Sequence, residues 1–278
     1  MSGFTPHGFG WQRDLPDLRD DRPKRREIRA LLDGLPSQDA LPPCVDWREF
    51  FAAPVDQGPL PTSTAHAVVG LVQYFERRAT GRVLDPSRLF LHRTTRALLG
   101  HPPESDASLR ATFKALVRLG TPPERFWPYD AAGLGREPSA FAFAAADRFD
   151  GLRYLRLGGL GKSKGVLRSV RSFLAAGFAC AFGVPVYTCL GEDEEMAYPT
   201  IFHSLRGGQA LVAAGYDDQR RLAAGKGALL IRNSWGADWG DGGYGWMPYA
   251  YVEQRLAVDF WTLIRPAWLD PHEFYRPA

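Results

Sequence analysis

Three short stretches, far apart in the chain, constrain its fold more than any other feature. The first is Pro54-Val55-Asp56-Gln57-Gly58-Pro59-Leu60-Pro61-Thr62-Ser63. Its Gly and Pro residues give way at once to a run in which Val68, Leu71, Val72 and Phe75 recur at helical spacing, as far as Arg78. This is a loop that delivers Ser63 to a helix N-terminus, with Gly81 as a left-handed stop. The second stretch is Gly207 to Asp217. The third is Arg232-Asn233-Ser234-Trp235-Gly236, followed by Trp239-Gly240 and Gly243-Tyr244.

Between and around these stretches the hydrophobic period changes once. In the first half, Leu109 to Leu119 reads as a helix, with Leu109, Phe113, Leu116 and Val117 on one face and Gly120 as its stop. The Ala- and Gly-rich segment Ala131 to Arg148 is a crossing. In the second half, Val166 to Ala176 is amphipathic helix. Ala179 to Val186, Gln209 to Tyr216, Ala228 to Arg232, Tyr244 to Met247 and Val258 to Ile264 are strands. Asp217-Asp218 and the polar run to Lys226 read as a hairpin connection. This predicts an α+β chain, with one helical lobe against one antiparallel, barrel-like lobe and a cleft between them.

Composition narrows the function classes. With 278 residues and 45% hydrophobic content, the chain can bury a sizeable core. A net charge of +3 leaves only the cluster from Arg22 to Arg26 as a basic patch, which reads as a solvated turn rather than a nucleic-acid contact. No apolar run reaches membrane-spanning length, and Met1 to Gly10 has neither the charged nor the apolar region of a signal peptide. Cys44, Cys180 and Cys189 form an odd set without metal spacing, so neither a metal nor a cofactor is expected. A reducing compartment, the bacterial cytoplasm, is the simplest address.

Taken in order, the three stretches resemble the papain family of cysteine peptidases, in particular its bacterial branch without a long inhibitory propeptide. Gln57 matches the Gln that lends its amide to the oxyanion hole. Asn233 matches the Asn that holds the catalytic His, with Trp235 as its cover. The nucleophilic Cys, six residues after the Gln, is here Ser63, and the catalytic His is here Gln209. Pro61 and Thr62 stand where the family carries Gly-Ser. Several departures in one site fit natural degeneration better than a single knock-out. Thr62, Gly208, Trp235 and Asp106 match positions that would line a substrate, although Ser105-Asp106-Ala107-Ser108 lacks the family's Gly-rich turn, which puts peptide binding in the usual register in doubt. The resemblance also implies a domain layout: an extended arm over residues 1–46, with a short helix from Arg26 to Leu32, then a papain-like domain over 47–278. Within that domain, 47–135 form the helical lobe, 150–265 the β lobe and 266–278 a tail. Val45-Asp46-Trp47-Arg48 resembles the mature start, and Pro86 to Leu91 stands where the family carries a short helix.

The chemistry follows from the residue types. A thiolate attacks because an imidazolium and a helix N-terminus lower its pKa. A serine hydroxyl instead needs a base in hydrogen-bond reach, and a carboxamide has no useful basicity. Losing nucleophile and base leaves only oxyanion and binding contributions. Plainer roles are available throughout: Ser63 as a helix N-cap, His66 as a buried hydrogen-bonded residue, His203 as a solvated loop residue, Gln209 and Asn233 as an amide pair, and Trp235, Trp239, Trp246 and Trp261 as core. The preferred expectation is a non-catalytic homologue that binds a peptide, a small amino-acid-derived ligand or a partner protein in the cleft. The alternative is a hydrolase or acyltransferase using Ser63 with Gln57 as oxyanion donor. A third reading has a partner supply the missing His.

Overall fold

The computed structural model describes residues 8–22, 41–157 and 163–269. The helix expected from Arg26 to Leu32 lies outside the described residues.

The central element is α1 (Ser63–Thr80), which ends on Gly81 in the left-handed region at φ 71°, with the Gly81 N–H returning to the Arg77 carbonyl. Every residue from Ser63 to Glu76 is buried. A helix covered on all sides must satisfy its polar groups internally. Gln73 donates to the Leu84 carbonyl, Tyr74 to the Gly177 carbonyl, and Glu76 accepts from Arg265 and Trp268.

Two helices flank it. The short helix expected at Pro86 to Leu91 runs on as α2 (Arg88–Leu99), capped by the Ser87 hydroxyl. Next comes α3 (Leu109–Leu119), capped by Ser108 and stopped at Gly120 as its sequence predicts. Val117 is the exception on its predicted face, being exposed. A short α4 (Ala140–Ala144) interrupts the crossing segment.

The remainder builds one antiparallel sheet from β1 (Cys44–Asp46), β2 (Arg153–Arg156), β3 (Cys180–Tyr187), β4 (Leu205–Leu222), β5 (Gly225–Arg232), β6 (Tyr244–Pro248) and β7 (Val258–Ile264), with α5 (Ser163–Ala175) and α6 (Ala250–Glu253) in the connections. The strand order is β2-β7-β3-β4-β5-β6, with β1 added on β4, so the sheet is open rather than closed into a barrel among the described residues. β4 reaches so far because β3 pairs with its first half and β5 with its second. The predicted hairpin connection from Asp217 to Lys226 is itself strand on both sides, with only residues 223–224 outside the strands.

Two segments read as appendages, residues 44–46 and 266–269, are tied into the fold. β1 pairs with Gly215–Asp217, so residues 44–46 belong to the sheet rather than to a separate arm. The predicted tail begins with α7 (Pro266–Leu269), whose Trp268 stacks on Phe75 at 4.9 Å and donates to Glu76 at 2.8 Å.

Candidate active site

The N-terminus of α1 meets the middle of β4. Thr62, not Ser63, occupies the N-cap position, and it makes no side-chain cap bond; its hydroxyl pairs with the Tyr129 hydroxyl at 2.6 Å. Ser63 is therefore the first helical residue, and its cap role is corrected. The Ser63 hydroxyl oxygen accepts from the Ala210 N–H at 3.2 Å, which joins the helix to the strand residue next to Gln209.

A ring of carboxamides lies beside it. Gln209 Nε2 donates to Gln57 Oε1 at 2.9 Å, Asn233 Oδ1 at 3.0 Å and Ser234 Oγ at 3.1 Å. The Ser234 hydroxyl in turn donates to Gln57 Oε1 at 2.5 Å. Gln209, Asn233, Ser234 and Gln57 are all buried. Such a network holds the loop, β4 and the end of β5 together, since breaking one member strands a polar group away from water. Gln209 Oε1 is already buried with no partner.

The nearest imidazole on α1 is no substitute base. His66 Nδ1 bonds the Thr62 carbonyl at 3.1 Å, and its ring meets Tyr129 edge-on at 4.9 Å. Burial, reinforced by Arg88, pushes its pKa down to about 3, so the ring is neutral. Its Nε2 has no partner among the described residues. His203 sits in the loop before β4, where its Nδ1 accepts from the Thr200 N–H. No group of His, Cys, Asp and Glu able to hold a metal occurs among the described residues, and no described helix is long and apolar enough to cross a membrane.

The cleft above Ser63 is filled by the chain's own arm. The Phe9 carbonyl receives Gln57 Nε2 at 3.0 Å and the Ser63 N–H at 3.2 Å. Further along, the Trp11 N–H donates to the Gly208 carbonyl at 3.0 Å. Ala107 clasps the arm from the helical side: its N–H reaches the Gly10 carbonyl, and its carbonyl accepts from Gln12, both at 3.1 Å. The pairing of Trp11 with Ala107 is parallel. Asp106 itself is exposed, so the backbone clasp falls one residue later than the sequence suggests. Trp235 is buried edge-on against Trp239 at 6.1 Å, and Asp56 bridges to it.

Comparison with known proteins decides the family. The model described as "Papain family cysteine protease" matches residues 193–256. Xylellain, a cysteine protease from Xylella fastidiosa, is 31% identical, with a TM-score of 0.79 over 93% of this chain and 96% of that one. This chain belongs to the papain family. Another relative, an uncharacterised peptidase C1-like protein of Acanthamoeba polyphaga mimivirus, is 27% identical over 92% of this chain and 86% of that protein. The bromelain protease of Ananas comosus, solved with the E64 inhibitor, is 18% identical with a TM-score of 0.56, over 80% of this chain and 98% of that one, a likeness of fold alone.

Within this papain-family site, reading the sequence missed four participants. Ser234 was visible inside its motif but carried no predicted bond. Tyr129, whose hydroxyl donates to the Gln57 carbonyl at 2.8 Å, comes from a distant turn. Ala107 acts only through its backbone. The arm residues Gly8 to Gln12 had no local signal beyond two glycines and two aromatics.

Proposed function

We propose that this chain is a papain-family protein that has given up peptide cleavage and works by holding an extended peptide segment in its inherited cleft. The observation that carries this reading is the Gln209 carboxamide. It stands where the family's general base stands, and its donors are spent on Gln57, Asn233 and Ser234. The Ser63 hydroxyl meets a backbone N–H instead of an imidazole, so its proton has no acceptor of suitable basicity. The binding half of the site is intact by contrast: Gln57, Ser63, Gly208 and Ala107 all hydrogen-bond to the backbone of an extended strand, here the arm.

A fluorophosphonate probe and a panel of fluorogenic peptides test this with the full chain. No label on Ser63 and no turnover from pH 5 to 9 is the expected result. Labelling that is lost in Ser63→Ala would instead establish a serine hydrolase.

A further inference from the structure

The arm is pinned to the body at Asp14, with only Gln12 and Arg13 between that residue and the Trp11 N–H that bonds Gly208. The Asp14 N–H donates to Asp259 Oδ2 at 2.7 Å, and the Asp14 carboxylate takes the Trp261 indole N–H at 2.9 Å. Asp259, on β7, also accepts from Arg156 on β2. A third carboxylate, Asp20 of the arm, meets Arg156 at 3.3 Å and Arg110 of α3 at 2.7 Å. Arg110 lies 3.5 Å from Asp14 as well.

Asp14, Asp20 and Asp259 are all buried, and among the described residues only two guanidiniums, Arg110 and Arg156, form ion pairs with them. One negative charge is in excess. Arg13 and Arg255 line the recess beside Asp14 and Asp259, but both are exposed. Asp17 is paired with Arg19, and Asp21 with Arg153, outside this cluster. A surplus charge shut away from water is costly, and two carboxylates in one site relieve it by keeping a proton. Burial, and after it the Asp14 charge, raises the pKa of Asp259 to about 6. Asp14 Oδ1 is buried with no hydrogen-bond donor among the described residues. A proton on the pair cancels the excess and adds a donor where a buried acceptor lacks one.

We propose that the arm is a proton-operated cover: Asp14 and Asp259 hold one proton between them while the arm is seated over the cleft, and the seating weakens as that proton is lost. The proton comes from water when the arm docks and returns to water when it lifts. With the arm lifted, Asp259 is solvated and the Asp14 charge departs, so its pKa falls back toward the ordinary carboxylate value near 4. A pKa that is higher in the seated state stabilises that state fully below the free value, and the gain is lost as pH rises through about 6. Between pH 7 and pH 5 the seated form becomes about tenfold more favoured. The inference does not depend on whether the cleft binds or cuts.

Hydrogen exchange of the full chain at pH 5 and pH 7, expressed as protection factors so that the intrinsic pH dependence cancels, tests this at the Trp11 and Gln12 amides. About tenfold greater protection at pH 5 is expected. At both pH values it should stay below the protection of α1, because the arm lifts without unfolding the body. Asp259→Asn should raise protection at pH 7 and remove the difference between the two pH values. Asp14→Asn should also remove it, and serves if the first variant does not fold. Equal or weaker protection at pH 5 in the unaltered chain would overturn the proposal, as would protection matching that of α1. A tenfold difference that persists in either folded variant would overturn it too, by placing the proton elsewhere.

Discussion

Gln209 and Gln57 are joined side chain to side chain, amide nitrogen to amide oxygen, at 2.9 Å. The first orients the second. With its oxygen held by Gln209 and Ser234, the Gln57 amide has only its nitrogen to offer, and that nitrogen faces the carbonyls of Gly8, Phe9 and Leu60. Gln209 thus keeps the Gln57 amide nitrogen aimed at the arm.

Ser63→Cys is expected to give a thiol that alkylates at least about tenfold more slowly than free cysteine at pH 7, because it is buried and lacks an imidazole partner. Adding Gln209→His should lower the pH at which that thiol reacts. It should also cost about 1–3 kcal/mol of stability, since Gln57 loses its amide donor. Iodoacetamide rates against pH, read by peptide mass mapping, check the first two, and urea unfolding the third.

Arg110 holds the arm down. Its guanidinium grips both Asp20 oxygens at 2.7 Å and lies 3.5 Å from Asp14, and both carboxylates are buried. Arg110→Ala leaves them short of their counter-charge, which should weaken the arm's attachment by about 3 kcal/mol. Hydrogen exchange at the Trp11 and Gln12 amides should then quicken by about a hundredfold, with little change at α1.

Trp268→Ala should destabilise the whole fold by about 3 kcal/mol, because it empties a buried site against Phe75 and removes a donor from Glu76. A thermal melt that is unchanged would mean that the C-terminal segment is dispensable.

Two buried groups should tilt stability against pH in opposite senses. The folded pKa of His66 is depressed to about 3, so its contribution is present above its unfolded value near 6.5 and is lost as pH falls. Asp259 is raised to about 6, first by burial and then by Asp14, so the folded state takes up its proton more readily, and stability falls as pH rises from about 4 to 6. Asp259 also sits at φ 56°, which Asn tolerates. Across pH 4 to 6.5, His66→Gln should make the melting temperature rise less steeply with pH, and Asp259→Asn should make it rise more steeply.

Sequence patterns carried part of this molecule and not the rest, for identifiable reasons. α3 and β7 appear with their expected bounds because Ser108 and Gly120 punctuate the helix and a dense apolar run marks the strand. The far ends of β4 and β5 were read as a loop because they form a solvated ribbon with no buried face, so no alternation is written there. Gln57, Ser63, Gln209 and Asn233 were legible as one site from motif order. The Gln209–Asn233 amide pair was expected and is present at 3.0 Å; the bonds of Gln209 to Gln57 and Ser234 were not, since a carboxamide gives no hint of which further partners its atoms will take. An extended arm along the body was expected, but its route was not legible: it is held by main-chain bonds to Gly208 and Ala107, and those look the same for any side chain.

The Asp14 N–H ends on the Asp259 carboxylate, 245 residues further along. At roughly 5–20 residues per second, a ribosome needs some 10 to 50 s to make the one after the other. The arm is thus born long before the groove that receives it. Until β4 has been made, Phe9 and Trp11 travel without their berth at Gly207 and Gly208, and a nascent chain of this protein presents to its surroundings the very segment that the finished one conceals.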